Sequence, residues 1–178
     1  MAVTFDMQSY PFDERHNALE VEGEAMIFHC HHYVNYLQRS ILDADYIDSE
    51  PFLIGSAADA VYNQLSNLCA GYSEQDAKSL AEQMYKAFGY GLINLSEMTE
   101  AGLEMKTFKS FFSKTWPLKF GNASKPIDFY TRGYLAACFA VIYQRPLTEV
   151  YVEQTSCMAC GDEFNHFSVR PQSTNFTV

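Results

Sequence analysis

Four residues near the C-terminus have the types and the spacing of a metal site. They form the pattern Glu153-x3-Cys157-x2-Cys160-x5-His166, so all four lie within fourteen positions of one another. Thiolate, imidazole and carboxylate are the ligands that zinc favours, and a turn between paired strands can bring them together. Gly161 permits a tight turn directly after the second cysteine. The pattern predicts a zinc corner with these four residues as its ligands.

The same residues also allow an interpretation without metal. In it the two cysteines are a reduced structural pair in a β-turn, and His166 lies on the polar face of an edge strand. A thioredoxin-like redox role is disfavoured, because there a Cys-x-x-Cys motif begins a helix after a strand. Here the motif joins two predicted strands.

A second set of candidate residues lies in the block His29-Cys30-His31-His32-Tyr33. A helix spreads these side chains around its circumference, so only residues at i, i+3, i+4 and i+7 share a side. That set is His29, His32, Tyr33 and Tyr36. Three interpretations stay open: ligands of a catalytic iron or zinc, boundary histidines that bond to the backbone, or polar groups that orient a ligand in an apolar pocket.

The fourth predicted helix has a face of small residues, on which Gly133 and Ala137 lie together with Ala136 and Ala140. A face without side-chain bulk allows close helix packing or leaves space for a bound molecule. Trp116, the only tryptophan, lies among several phenylalanines just before this helix. We therefore expect Trp116, Gly133 and Ala137 to contribute to an aromatic-lined cavity, with close packing as the alternative.

The elements that would position these residues follow from hydrophobic period, capping residues and turn residues. The predicted helices are about Glu24 to Tyr46, Ser49 or Pro51 to Cys69, Ser73 to Gly89, and Ile127 to Tyr143. The predicted strands are Leu92–Met98 with Leu103–Phe111, and Thr148–Thr155 with Phe164–Arg170. Residues 1–23 are expected to be an irregular arm with a short strand near Ala18–Glu22, and Ser113–Lys125 a loop.

On the first helix the apolar stripe that should face the core consists of Met26, Cys30, Tyr33, Leu37, Ile41 and Ala44. The order of elements is three helices, a hairpin, a helix and a second hairpin. Two separated hairpins predict one antiparallel sheet with helices packed on a face, which is an α+β fold. We expect a single domain over residues 1–178, with a ligand-binding core at 24–171.

Composition excludes several classes of function. The chain has 22 acidic and 12 basic residues, a net charge of -10, so it repels phosphate backbones and nucleic-acid binding is not expected. Apolar runs are too short for a membrane span. Five cysteines, an odd number, fit reduced thiols in a cytoplasmic protein. Neither a nucleophile motif nor a glycine-rich phosphate loop is present.

The C-terminal stretch resembles the 4-vinyl-reductase domain family. The resembling residues are Gly133–Ala137, Val150–Glu153, Cys157-x-Ala159-x-Gly161-Asp162 and His166–Val169. The last of these usually begins with cysteine in the family, in a Cys-x-Phe pattern, and this chain has His166 there. The family includes stand-alone hydrocarbon-binding proteins and the sensor domains of aromatic-responsive activators.

The resemblance implies the α/β ligand-binding fold that is also found in nitric-oxide-signalling and Golgi-transport proteins. It implies a module that holds an aromatic or hydrophobic molecule in an internal pocket, beside a structural zinc corner. The alternative is a metal-dependent enzyme that acts on an aromatic or tetrapyrrole-like substrate through His29 and His32. A homodimer is a further open expectation.

Overall fold

The computed structural model describes residues 3–10, 12–15 and 18–172 of the 178-residue chain. Its helices are α1 (His31–Leu42), α2 (Ser49–Leu68), α3 (Glu74–Ala87), α4 (Phe111–Thr115), α5 (Pro117–Phe120) and α6 (Phe129–Ile142). Its strands are β1 (Phe12–Asp13), β2 (Ala18–Val21), β3 (Glu24–Met26), β4 (Leu103–Thr107), β5 (Val150–Ser156) and β6 (Asn165–Pro171). Among these residues no helix is both long enough and apolar enough to cross a lipid bilayer.

Helices α2, α3 and α6 lie close to where the sequence predicts them. At the start of α3 the Ser73 hydroxyl accepts a hydrogen bond from the Asp76 N–H at 3.2 Å, which is the predicted N-terminal cap. Two residues beyond its end Gly89 has a φ of 84°. Glycine adopts that conformation without a steric penalty, so the chain can turn away from the helix axis there.

The first predicted helix is wrong over its N-terminal part. Residues Glu24–Met26 form β3, which pairs antiparallel with β2, and α1 begins only at His31. Glu22 and Gly23 have φ values of 51° and 85°, so the chain reverses between the two strands and forms a hairpin. Tertiary pairing therefore overrides the helical period that the sequence shows here.

The N-terminal segment is also more regular than predicted. Phe12 and Asp13 form β1 and join β2 and β3 in a small antiparallel sheet, so the prediction of an irregular arm is wrong at these residues. The short strand predicted near Ala18–Glu22 is confirmed as β2. This sheet is attached to α2 by hydrogen bonds from Gln64 to Met26 Sδ and from Asn67 to the carbonyl of Glu22.

A second antiparallel sheet contains the C-terminal hairpin and has the strand order β4-β6-β5. Val169 on the central strand pairs with Leu103 on one side and with Val152 on the other. Side chains alternate along each strand, so all three of these valine and leucine residues lie on the inner face. That face packs against α6.

The strand predicted at Leu92–Met98 does not form. Ile93, Leu95 and Met98 are buried all the same, in an irregular segment whose Leu95 N–H is bonded to a carboxylate oxygen of Glu82. The turn predicted after it is confirmed, since Thr99 and Gly102 exchange backbone hydrogen bonds of 3.0 and 2.9 Å. The sheet thus contains one hairpin and a single strand from the middle of the chain.

The layers are the β4-β6-β5 sheet, then α6 with α3 beside it, then α2 on the far side of α6. The segment predicted as the loop Ser113–Lys125 contains most of α4 and all of α5. These two short helices surround a second apolar cluster, which includes Phe112, Trp116 and Phe129. The combination of antiparallel sheets and packed helices confirms the α+β class.

Candidate functional site: the hairpin corner and the cavity beside Trp116

The turn after β5 brings two of the four predicted zinc ligands together. Cys157 is fully buried and Cys160 partly exposed, and the Cys160 N–H donates a 2.9 Å hydrogen bond to the Cys157 carbonyl across one 3-10 turn. Burial, and then the neighbouring Cys157, raise the pKa of Cys160 to about 12, so it is a neutral thiol at pH 7. Asp162 closes the turn by accepting a 2.7 Å hydrogen bond from the Cys157 N–H.

The other two predicted ligands lie on the opposite, outer face of the sheet. Glu153 has Arg170 as its ionic neighbour, at 4.0 Å. The His166 ring lies 2.6 Å from the Thr155 hydroxyl at Nδ1 and 3.2 Å from a Glu104 carboxylate oxygen at Nε2. In the part of the chain that the structure describes, no three His, Cys, Asp or Glu side chains converge as metal ligands.

At the inward-facing positions of the β5–β6 hairpin the side chains are amides and not typical metal ligands. Asn165 Oδ1 accepts hydrogen bonds from the Ser113 hydroxyl (2.8 Å), the Met158 N–H (2.9 Å) and Gln154 Nε2 (3.2 Å). Gln154 Oε1 in turn accepts a hydrogen bond from the Asp128 N–H at 3.2 Å. This set of residues, the amide cluster, ties α4, β5, β6 and the start of α6 together.

The position of Asn165 corrects the alignment of this chain with the family's Cys-x-Phe pattern. Counting back two residues from Phe167 places the cysteine of the Cys-x-Phe pattern at Asn165, not at His166. Carboxamide oxygens are poor ligands for zinc, which prefers thiolate and imidazole. The four predicted residues as placed do not fit one zinc ion, so zinc binding stays an untested prediction. Side chains alternate between the two faces of a strand, so Asn165, two residues before buried Phe167, lies on the same inner face as Phe167. This alternation is the sequence signal that identifies Asn165 as the inward residue.

Asparagine at position 165 leads to a testable expectation about metal removal. We expect treatment with EDTA to leave the melting temperature unchanged within about 2 °C, because hydrogen bonds and not a metal join the hairpin to α4. Stoichiometric zinc in the purified protein, together with a lower melting temperature after chelation, would instead establish the predicted metal corner.

Asn165→Ala should destabilise the fold by about 2 to 3 kcal/mol, since it leaves buried donors of Ser113 and Gln154 without an acceptor.

Sequence reasoning missed Asp128, which is fully buried at the N-terminus of α6. One carboxylate oxygen accepts from the hydroxyl and the N–H of Thr131, at 2.6 and 3.2 Å, and the other accepts from the Ser110 hydroxyl. The Thr131 hydroxyl lies 2.6 Å from the hydroxyl of buried Tyr85. Burial raises the pKa of Asp128, although the bonds from Ser110 and Thr131 oppose the shift. An aspartate three residues before a threonine at a helix start is the capping signal that could have found it.

The histidine block lies at the surface. His29 lies before α1, with its ring stacked on Tyr33 at a centroid distance of 4.1 Å, and the ring of His32 is tilted against that of His31 at the same centroid distance. Tyr36 meets the ring of Phe120 edge-on at 5.4 Å. The side chains of His29, His32, Tyr33 and Tyr36 are exposed and enter none of the cavities described below.

The small face of α6 is used for close packing. A Cβ atom on Gly133 would lie 2.5 Å from the carbonyl oxygen of Ile54 and 2.7 Å from the Cβ of Ala57, both on α2. Ala137, one turn further along, is fully buried. The two helices therefore meet at backbone distance, which is the alternative to a pocket at this position.

Several cavities open on the surface of the described residues. The one that contains a predicted site residue lies between α1 and the segment after α4, with a volume of about 280 Å³. We call it the Trp116 cavity; its lining combines the apolar side chains of Leu42, Trp116, Phe120 and Ile127 with the polar side chains of Arg39, Asp43, Asn122, Ser124 and Lys125. A groove of about 570 Å³ separates α2 from β5, and a more polar bowl of about 620 Å³ lies at the C-terminal end of α6.

Near the Trp116 cavity one polar atom is buried without a partner. Asn35 is fully buried on α1, and its Nδ2 donates a 3.0 Å hydrogen bond to the Thr115 hydroxyl. Its Oδ1 has no hydrogen-bond donor within the described part of the structure. Asn35 lies one helical turn before Arg39, which lines the cavity, and its partner Thr115 directly precedes Trp116. An orphaned buried acceptor is costly, so it marks a position where an added donor would be stabilising.

The fold is shared with two solved proteins of known family. It superposes on the phenol-responsive sensory domain of the transcription activator PoxR, solved with phenol, with a TM-score of 0.70. Sequence identity is 11%, over 92% of this chain and 85% of that domain. A vinyl-4-reductase family protein from Methanocaldococcus jannaschii superposes with a TM-score of 0.50 and 14% identity, over 85% of this chain and 100% of the other.

No protein-family sequence model matches the chain, and neither does any curated protein. The two structural matches confirm the resemblance to the 4-vinyl-reductase domain family and its aromatic sensor relatives at the level of the fold.

Proposed function

We propose that this protein binds a small aromatic molecule in the Trp116 cavity. The observation that carries the proposal is a small cavity with Trp116 and Phe120 on its wall, between α1 and the Trp116 segment, in a fold that is shared with a domain solved with phenol. An indole and a phenyl ring on the wall favour an aromatic guest, because aromatic pairs gain about 0.5–1.5 kcal/mol beyond the burial of their area.

The volume limits the size of the ligand. Pockets for drug-sized molecules span about 300–1,000 Å³, whereas this cavity measures about 280 Å³. A single aromatic ring with small substituents fits such a space, and a tetrapyrrole does not. The charged side chains of Arg39, Asp43 and Lys125, which also line the cavity, disfavour a fully apolar ligand.

Asn35 would give the ligand its orientation. Its unpartnered Oδ1 can accept a hydrogen bond but cannot donate one, so it selects a ligand that carries an O–H or N–H group. A phenolic hydroxyl meets both requirements, since it is attached to a ring of the right size. Asn35 does not itself line the cavity, so this contact requires the neighbouring side chains to move when the ligand binds.

The first experiment uses the fact that Trp116 is the only tryptophan. Excited at 295 nm, its fluorescence reports on its own surroundings, so saturable quenching by phenol reports occupancy of the Trp116 cavity. We expect Ser124→Phe, which places a ring at the exposed rim of this cavity, to weaken phenol binding at least tenfold. Phenol that produces no saturable signal in fluorescence or calorimetry up to 10 mM would refute the proposal.

A matched variant separates this cavity from the groove between α2 and β5. Gly55 lines that groove, and a Cβ atom there would meet nothing within 4 Å, so Gly55→Phe fills the groove without a clash at Cβ. We expect this variant to keep the affinity of the wild type. Weaker binding in Gly55→Phe with unchanged binding in Ser124→Phe would move the site to the groove.

The alternative of a metal-dependent enzyme has no converging geometry to support it. It requires His29 and His32 to share a site, whereas both side chains are exposed and each lies against a different ring, His29 against Tyr33 and His32 against His31. The proposed function is therefore binding, with neither metal nor reaction included.

A further inference from the structure

One edge of the β4-β6-β5 sheet forms a wall of the groove of about 570 Å³ beside α2. Val150, Tyr151 and Val152 of β5 line it consecutively, although successive side chains of a strand point to opposite faces. The backbone of the strand therefore lies along the groove. Helix α2 forms the opposite wall, and α6, which packs against both elements, contributes Arg132 and Ala136. We call this space the α2–β5 groove.

The edge of β5 keeps backbone hydrogen-bonding groups available to the groove. Along a strand these groups alternate between its two sides. The Glu149 carbonyl accepts a hydrogen bond from the Gln172 N–H, on the side of β6. The Val152 carbonyl accepts one from Arg132 Nε at 3.0 Å, so Val150 and Val152 direct their backbone groups to the other side. Among the described residues no other segment bonds to the Val150 carbonyl or to the Val152 N–H.

This part of the edge lacks the features that usually prevent pairing with another chain. Charged side chains, prolines and bulges protect exposed strand edges. Strand β4, at the other edge of the sheet, carries Glu104 and Lys106, whereas Val150–Val152 contains neither a charged residue nor a proline. The irregular register of β5 begins only at Gln154, beyond the groove. An edge of this kind is a template for an added strand.

The opposite wall leaves room for such a strand. It is formed by α2 and its N-cap residue and runs from Asp48 to Asp59, a length of about 16 Å at 1.5 Å per residue. An extended chain covers that length in about five residues at 3.3 Å each. Gly55 lies within this wall, and a Cβ atom there would meet nothing within 4 Å. Because Ile54 and Ala58 beside it are apolar, the groove suits an extended peptide with small apolar side chains.

The charges that remain unpaired in the lining are negative. Glu50 is already paired, because one carboxylate oxygen accepts a hydrogen bond from Arg132 and the other lies 3.9 Å from Lys125 Nζ. Asp48 and Asp59 are exposed at the two ends of the wall, and neither has an ion pair within the described part of the chain. A basic residue at each end of the occupant would complement them. A second copy of this chain would bring its own two aspartates to the same interface, where like charges repel.

We propose that the α2–β5 groove binds an extended peptide segment of a partner protein, which adds a strand to β5. The segment has small apolar side chains in its middle and a basic residue at each end. Main-chain hydrogen bonds to Val150 and Val152 set its register, and Asp48 and Asp59 select its charge. The site is separate from the Trp116 cavity, since no residue lines both.

The probe is the synthetic peptide acetyl-KVTVTVK-amide, titrated into the full chain in a calorimeter. We expect it to bind at least about tenfold more tightly than acetyl-EVTVTVE-amide, and to bind more weakly as NaCl rises from about 50 to about 500 mM. Gly55→Phe fills the groove and should weaken binding at least about tenfold. Ser124→Phe, at the rim of the Trp116 cavity, should keep the affinity of the wild type. Circular dichroism verifies that both variants fold.

Exchange of the two free carboxylates for amides tests the charge selection without filling the groove. Asp48→Asn combined with Asp59→Asn should weaken binding of acetyl-KVTVTVK-amide at least about threefold at low salt, the effect of losing two exposed ion pairs. The same variant should bind acetyl-EVTVTVE-amide more tightly than the wild type does. Unchanged affinities for both peptides would overturn the assigned charge of the partner.

Backbone methylation of the probe tests the strand pairing itself. The N–H groups of successive residues in an extended peptide point to opposite sides, so only every second one can reach β5. One peptide is methylated at the backbone nitrogens of its valines and another at those of its threonines. One of the two should bind at least about tenfold more weakly than the unmodified peptide, and the other within about twofold.

Four results would overturn the inference. The first is an absence of saturable binding of acetyl-KVTVTVK-amide up to about 1 mM. The second is equal binding by the wild type and Gly55→Phe, and the third is equal binding of the two methylated peptides. The fourth is a wild-type dimer that Gly55→Phe dissociates in sedimentation equilibrium, because a second copy of the chain would then occupy the groove.

Discussion

Gly133→Ala is expected to destabilise the fold by about 2 to 3 kcal/mol, the upper part of the range for overpacked positions. The added methyl group would meet the carbonyl oxygen of Ile54 at 2.5 Å and the N–H of Ala58 at 2.8 Å. These are backbone atoms of α2, which cannot move aside as a flexible side chain can. Helices α2 and α6 would have to separate, and the loss of contact would extend along their whole interface.

The measurement is urea unfolding at equilibrium, with Gly55→Ala as its matched control. Gly55 lies on α2 next to Ile54, but it faces the groove between α2 and β5, and a Cβ atom there would meet nothing within 4 Å. Alanine there should stabilise the protein by up to about 1 kcal/mol, because glycine is a poor helix residue. If both variants had the same small effect, the close approach of α2 and α6 at Gly133 would not exist.

Asp128→Ala is expected to cost about 3 kcal/mol or more, and roughly 10 °C in melting temperature. The variant removes the N-terminal cap of α6, which contributes about 0.5–2 kcal/mol. It also leaves the hydroxyls of Ser110 and Thr131 buried without their acceptor. Because Ser110 itself caps α4 through the Ser113 N–H, the loss affects two helices.

Asp128→Asn separates the charge of this residue from its shape. Burial raises the pKa of Asp128 above its ordinary value of 3.8. As pH rises past 3.8 the unfolded carboxyl ionises first while the folded one keeps its proton, so the free energy of unfolding falls until the folded pKa is passed. Measured as a difference from Asp128→Asn, wild-type stability should decrease with pH over this window. An increase would mean that the hydrogen bonds outweigh burial and lower the pKa.

The parts of the fold that the sequence predicts are those whose signals are local. Helix α3 has a serine cap, an acidic first turn and a glycine just beyond its end, and the structure contains all three as predicted. The hairpin of β5 and β6 follows from alternation around a tight Cys157–Asp162 turn. These signals act over a few residues, so they do not depend on the rest of the chain.

Helix α1 shows where local signals are insufficient. Its apolar stripe predicts that Tyr33 and Leu37 face the core, but the structure leaves both about half exposed and buries Asn35 and Gln38 in their place. Asn35 and Gln38 are buried because the Thr115 hydroxyl and the Ile127 carbonyl, about 80 and 90 residues away, offer them partners. Such partners are set by tertiary structure.

The candidate site was predicted in part for the same reason. Trp116 lines a cavity, but Gly133 and Ala137, which were expected to share it, do not, and ligand binding at Trp116 stays a prediction. Glu153 and His166 were assigned from residue type, although the pleat of the strands turns both away from Cys157. A shift of one residue along a strand moves the side chain to the opposite face of the sheet. His166 and Asn165 are one residue apart, so they lie on opposite faces.

The order β4-β6-β5 has a consequence for how the molecule is made. The central strand of the sheet is the last of the six, and Leu103 on β4 pairs with Val169, 66 positions later. Domains are synthesised from the N-terminus at about 5–20 residues per second. Strand β4 therefore leaves the ribosome several seconds before its only neighbour in this sheet exists. During that interval the helices that precede β6 can pack, but β4 stays without its partner strand in this sheet until β6 has been synthesised.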